Sequence, residues 1–331
     1  MNVLVTGADE VWGYLTAERI LQAETLTNSK GERETVDSLV LIIHEKPYLS
    51  EITEDSRVKT VVGDISVKES VTPIILDNNI DSIFHFETVT RDRGNGENDF
   101  DGMIQVNVFG SLNILEACRA SGRNPKLVFC SSCSVFQDGI RTAVCAETRR
   151  MPSSTYGTTK AIVELLVANY TKRGFVDGRN SILPMCVSWK PIGANGDFMH
   201  EVYHTPFDGK DVEVIIKPDT ELFFNGYYTC IENLIETHEI PSEELGEDRS
   251  VLQPGITVSL NEMMDMFQKI GKERGITVGQ IVEKFIPEKQ EEFDAYNKKT
   301  DFSRAKQFGF SNENLEMIVR RYLNAYLKMN L

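Results

Sequence analysis

The residues best suited to chemistry stand on one short stretch. Tyr156-Gly-Thr-Thr-Lys160 spaces a phenol and an ammonium four residues apart, so a helix there carries both on one face. A free tyrosine has a pKa of about 10 and is almost wholly protonated at neutral pH. A neighbouring ammonium favours the phenolate, and each tenfold gain in the ionised form takes about 1.4 kcal/mol, which brings the phenol within reach of general-base work. Upstream, Ser131-Ser132 ends an apolar run and offers a hydroxyl at a strand terminus. By itself the Tyr/Lys spacing also fits an amphipathic helix with a surface lysine. The other reactive side chains make no set. Cys130-Ser-Ser-Cys133 is a lone CxxC among six cysteines, with no second pair to complete a zinc site, so reduced thiols are expected. His44, His85, His200, His204 and His238 are scattered; His200 and His204 share a helical spacing but lack a third ligand, and no metal site is expected.

Strands and helices must position these groups. Val3-Leu-Val5, Leu39 to Ile43, Val58 to Val62 with a lysine inside, Ile83-Phe84, Leu127-Val-Phe129 and Ile182-Leu183 are short apolar runs with helix-length segments between them. Such runs are buried on both faces, which predicts an α/β fold with a doubly wound parallel sheet and right-handed crossovers. Helices are predicted over Asp99 to Ala120 and Tyr156 to Tyr170 from their apolar periodicity. Beyond residue 180 the prolines multiply and the pattern turns irregular, so residues 1–180 are expected to form the main domain and 181–331 a smaller, partly interleaved substrate region. Gly31 to Glu34 and Gly94 to Asn98 read as exposed loops.

The 331-residue chain, 41% hydrophobic, can bury a sizeable core, and its net charge of -15 works against nucleic acid and anionic membranes. A small-molecule ligand fits better. The longest apolar runs are too short for a membrane span, and Val3 to Val5 is too short for a signal-peptide core, so a cytoplasmic location is expected.

Several motifs occur in order: Thr6-Gly-Ala-Asp-Glu-Val-Trp-Gly13, Gly63-Asp-Ile65, Asn107 to Ala117, Val128 to Ser132, Tyr156 to Lys160, and Leu183-Pro184. Together they resemble the extended short-chain dehydrogenase/reductases, the NAD-dependent epimerase/dehydratase superfamily, with a Rossmann-type sheet. The spacer Leu26 to Ser38, Tyr170 to Gly178, Pro218-Asp-Thr220 and Glu232-Asn-Leu234 are most similar to the D-erythronate dehydrogenase-like branch, which oxidises a small polyhydroxy acid. The resemblance implies Tyr156 as general base, Lys160 holding the cofactor ribose and lowering the Tyr156 pKa, and Ser132 bonding the reacting oxygen. It also implies NAD or NADP held by Gly7, Glu10, Val11, Trp12, Asp64, Ile65, Asn107, Tyr156 and Lys160, and a substrate meeting Cys133 and Lys190. Gly13 would give close helix-strand packing, and the two predicted helices would pair two chains into a homodimer.

The loop departs from the family pattern where Glu10 replaces the middle glycine. A carboxylate about 5 Å from a phosphate charge at an effective dielectric near 20 is repelled by roughly 3 kcal/mol. Alternatively, Glu10 caps the helix, where an acid is favourable. Ile43 stands where an acid usually meets the adenosine ribose, with Glu45 close by, and Lys46 would suit a 2′-phosphate. His85-Phe-Glu-Thr88 replaces small alanines, Trp12 is bulky for its loop, and Val187-Ser-Trp-Lys190 lacks an arginine. Three readings stand: an NAD(P)-dependent oxidoreductase acting on a secondary alcohol, an isomerase or lyase using the same Tyr/Lys pair, and a cofactor-free binding protein.

Overall fold

Val3, Leu4 and Val5 lie at the centre of a seven-stranded sheet with no exposed surface. The computed structural model describes residues 1–44, 52–89, 100–136, 143–187, 198–295 and 299–329. The strands are β1 (Asn2–Thr6), β2 (Ser38–Ile43), β3 (Val58–Val62), β4 (Ser82–His85), β5 (Lys126–Ser132), β6 (Asp177–Leu183) and β7 (Ser250–Leu252). They pair in the order β7-β6-β5-β4-β1-β2-β3, all parallel, with Val3 opposite Leu39 on one side and Ser82 on the other. The chain winds outward from β1 to β3, returns, and continues from β4 to β7, which opens a crevice at the C-terminal ends of β1 and β4.

Side-chain alternation along the strands feeds two cores. Val3, Val5, Leu39, Leu41 and Phe84 pack with Ala17 and Ile20 of α1 (Val11–Ala23), while Leu4, Val40, Ile42 and Ile83 pack on the opposite face with Ile114 and Val163. Those last two belong to α3 (Ser111–Ser121) and α4 (Thr155–Lys172); α2 (Lys68–Asp77) covers the same face. The doubly wound parallel sheet expected from the apolar runs is therefore present. A third core lies in the C-terminal elements, where a three-stranded sheet of Met185–Val187, Glu221–Gly226 and Ile256–Ser259 packs with the helices Phe198–Phe207, Leu260–Arg274 and Leu315–Met329.

Four local expectations change. Gly31 to Glu34 is not simply a loop: Thr25–Thr27 and Arg33–Thr35 form an antiparallel hairpin around it. The helix predicted over Asp99 to Ala120 is interrupted, running Phe100–Met103, then a π-helical stretch Ile104–Gly110, then α3. Strand β6 extends well beyond Ile182-Leu183, and β7 joins the sheet from the irregular region. All seven residues of β6 are buried although four of the first five are polar or charged. Their burial is compensated by partners. Asp177 Oδ1 accepts from Arg249 Nη2 at 2.6 Å and Ser242 Oγ at 2.9 Å, its other oxygen pairs with Arg179, and Arg179 Nη1 donates to the His238 carbonyl at 2.6 Å. No helix among the described residues is long and apolar enough to cross a membrane.

Candidate active site

Helix α4 begins where its sequence allows it to touch the strand that precedes it. Ser154 caps the helix by accepting from the Gly157 amide at 3.1 Å. A Cβ at Gly157 would lie 2.4 Å from the Ser134 carbonyl, so only glycine lets this first turn sit against the 3-10 turn Cys133–Phe136 that follows β5. Tyr156 is thus fixed on the first turn and Lys160 on the next. Lys160 is 2% exposed; its Nζ donates to the Cys130 carbonyl at 2.8 Å and lies 5.6 Å from the Tyr156 ring centre and 4.8 Å from that of Phe129. Burial pushes the Lys160 ammonium down to about 8, against the pull of Cys130, Glu164 and Glu87, which still leaves it mostly charged at neutral pH. Ser132 lies two residues beyond Cys130, half-buried, with its Oγ 3.1 Å from Ser134 Oγ and accepting from the Ser134 amide.

Asn107 is buried in the π-helical stretch, where it accepts from the Val89 amide at 2.7 Å and donates to the Val89 carbonyl at 2.9 Å and to Thr159 Oγ1 at 3.0 Å. Thr159 in turn donates to the Tyr156 carbonyl at 2.8 Å, so Asn107 ties the segment after β4 to the Tyr/Lys helix. One turn beyond Lys160, Glu164 pairs with Ser131 Oγ and accepts from Arg150 Nε at 2.6 Å. Glu164 and Arg150 escape the sequence reading because their meeting depends on the segment that precedes α4. The His85 imidazole is held between Thr6 Oγ1 at 2.7 Å and Ser111 Oγ at 2.8 Å, and burial lowers it to about 3, so it stays neutral. Cys133, the expected substrate contact, is half-buried on the 3-10 turn, and burial pushes its thiol up to about 12.

At the glycine loop, Gly7 has φ +64°, and a Cβ there would lie 3.0 Å from the Glu87 amide nitrogen. A Cβ at Gly13 would lie 2.3 Å from the Gly7 carbonyl, which accounts for that glycine as a packing residue. Glu10 occupies the N-cap position of α1, as the capping alternative places it, with an exposed side chain that makes no capping hydrogen bond. Val11 packs with Leu15, Tyr227 and Ile231, and Trp12 is partly buried against the same cluster. Asp64 is exposed and accepts from the Ser66 amide at 2.8 Å, whereas the Ile65 side chain is turned inward, where a Cβ at Gly110 would meet it at 2.7 Å. Ile43 is a core residue of β2, 2% exposed, paired opposite Val62. Lys190, Glu45, Lys46, Asp99 and Gly94 to Asn98 lie outside the described residues.

Residues 3–199 match the NAD dependent epimerase/dehydratase family, more than half of the chain. The chain belongs to this family. Two relatives named D-erythronate dehydrogenase are similar over most of its length: one from Cupriavidus necator, 33% identical and covering 82% of each chain, and one from Haemophilus influenzae, 28% identical and covering 82% of this chain and 83% of the relative. The fold is shared with the nucleoside-diphosphate-sugar epimerase of Agrobacterium tumefaciens, at a TM-score of 0.86 and 23% identity over 99% of this chain and 95% of that one. The chain is accordingly an enzyme of the short-chain dehydrogenase type.

Family membership is consistent with NAD(P), and two features of the structure suit a dinucleotide, although Glu10 stands at the N-cap of α1 and Glu87 lies against the Gly7 turn. The Gly7 turn leads into α1, whose first turn carries no acidic side chain, and Lys160 stands beneath the Tyr156 ring. Against the Gly7 turn lies a group that sequence reasoning missed. Asp9 Oδ2 accepts from the His44 amide at 2.8 Å, His44 Nδ1 is 3.4 Å from the same oxygen, and His44 Nε2 is 3.0 Å from Glu87 Oε1. The Asp9 and Glu87 hydrogen bonds outweigh burial and raise His44 to about 10. In the sheet, these three residues follow β1, β2 and β4, which are neighbours; in the sequence they are far apart.

Proposed function

We propose that this enzyme oxidises a secondary alcohol of a small polar metabolite with NAD or NADP, and that Tyr156 is its general base. The observation that carries this reading is the buried Lys160 ammonium held 5.6 Å from the Tyr156 ring centre by the Cys130 carbonyl. Tyr156 takes the proton of the reacting hydroxyl, Lys160 stabilises the phenolate that results, and Ser132 holds the substrate oxygen. Asn107, through Thr159, keeps the first turn of α4 in register with the segment after β4. When bound, the nicotinamide supplies the hydride acceptor. The relatives named D-erythronate dehydrogenase support a sugar acid as the substrate class.

Calorimetric titration with NAD and with NADP tests this reading. Sub-millimolar binding of one of them is expected; no heat from either at millimolar cofactor favours an isomerase or lyase that uses the Tyr/Lys pair without it. Asp9, Glu10 and Glu87, all near the Gly7 turn, are what favours that second reading.

The same reading includes a homodimer packed through α4 and the interrupted helical segment 100–121. Phe109 at 47% and Leu165 at 71% exposure are large apolar residues left on these two elements. Light scattering at micromolar concentration should give the dimer mass, and Leu165→Glu should shift it to that of one chain; a wild-type monomer contradicts the proposal.

A further inference from the structure

We infer that Asp9, His44 and Glu87 form a binding site for one divalent transition-metal ion at the C-terminal edge of the sheet. Each offers one ligand atom, and these atoms all lie within 4.8 Å of one another. A tetrahedral shell with bonds of about 2.1 Å sets its ligands about 3.4 Å apart, so closing on an ion takes a contraction of up to about 1.4 Å. Rotation of Asp9, on the loop between β1 and α1, can supply it. A second observation is independent of this grouping. Glu87 is 5% exposed and its Oε2 has no hydrogen-bond partner, and Asp9 Oδ1 is likewise buried and unpartnered. Buried carboxylate oxygens without partners are costly, and a cation beside them satisfies both.

The donor set of one imidazole and two carboxylates suits a borderline cation of the zinc, cobalt or manganese type, with water completing the shell. The ring nitrogen that faces Glu87 would release its proton to solvent as the ion enters. The site goes beyond the proposed redox function and does not depend on it. Its position matters nonetheless: the Glu87 backbone lies against the Gly7 turn, so a cation held there would offset the carboxylates that a diphosphate would otherwise meet.

The test is a Co2+ titration of the full chain after dialysis against chelator, with no dinucleotide present, followed by visible spectroscopy and calorimetry. One ion per chain is expected, with d–d bands of nitrogen and oxygen ligation. His44→Ala and Glu87→Gln should each weaken binding by more than about tenfold, with thermal unfolding confirming that both variants fold. His44→Gln serves as the replacement if the alanine variant does not fold. Three results overturn the inference: no binding at millimolar Co2+, the intense near-ultraviolet band of cysteine ligation, or unchanged affinity in folded variants. Because no cofactor is added, failure of NAD(P) binding leaves this result readable.

Discussion

Tyr156→Phe should lower kcat by about a hundredfold to ten-thousandfold while leaving the protein folded, because it removes the proton acceptor and keeps the ring. Tyr156 is half-buried on the first turn of α4, where the ring can remain beside Lys160 when the hydroxyl is gone. The capping bond from Gly157 to Ser154 and the Asn107–Thr159 link do not involve the phenol oxygen. Thermal unfolding and far-ultraviolet circular dichroism should therefore match the wild type. The cofactor Kd should change little, since a lost base removes an interaction made in the transition state rather than in the ground state. Turnover within about tenfold of wild type would rule out Tyr156 as the base, because even a modest general base contributes more than that.

Asp177→Ala should have the largest effect on stability, a loss of about 3–5 kcal/mol. The substitution strips the counter-ion from Arg179, which is 0% exposed, and from Arg249, which is 4% exposed. Burial alone would raise the Asp177 carboxyl, but Arg179 and Arg249 outweigh it and hold the pKa below the usual carboxylate value. The stabilisation is consequently present above the unfolded-state pKa of about 4 and is lost as pH falls through the lower folded-state value. Urea unfolding at neutral pH measures the loss, and Asp177→Asn, which keeps an acceptor for Ser242 but no charge, should fall between wild type and alanine. A cost below about 1 kcal/mol for the alanine variant would place this cluster among weakly coupled surface pairs and contradict its burial.

The difference between legible and hidden features follows from sequence separation. Tyr156 and Lys160 are legible because a helix turns their spacing into a shared face. The central strands are legible because a doubly covered sheet demands unbroken apolar runs, as in Leu39 to Ile43. Strand β6 hides for the opposite reason: Asp177, Arg179 and Asn180 read as surface residues, and only partners such as Arg249, His238 and Ser250 permit their burial. The π-helical stretch at Asn107 hides because its backbone register is decided by the bonds to Val89 and Thr159, not by local preference.

By itself, then, the sequence determined the alternation of strands and helices, the parallel sheet, and the helix that pairs a phenol with an ammonium. These are encoded by short-range periodicity, which needs no knowledge of the rest of the chain. The tertiary structure alone decided what surrounds them: the carbonyl that holds Lys160, the Glu164–Arg150 pair, and the meeting of Asp9, His44 and Glu87. Each of those contacts joins different parts of the fold, which local periodicity does not relate. The last of them exists because the strand order places β1, β2 and β4 side by side and sets their C-terminal ends at one edge.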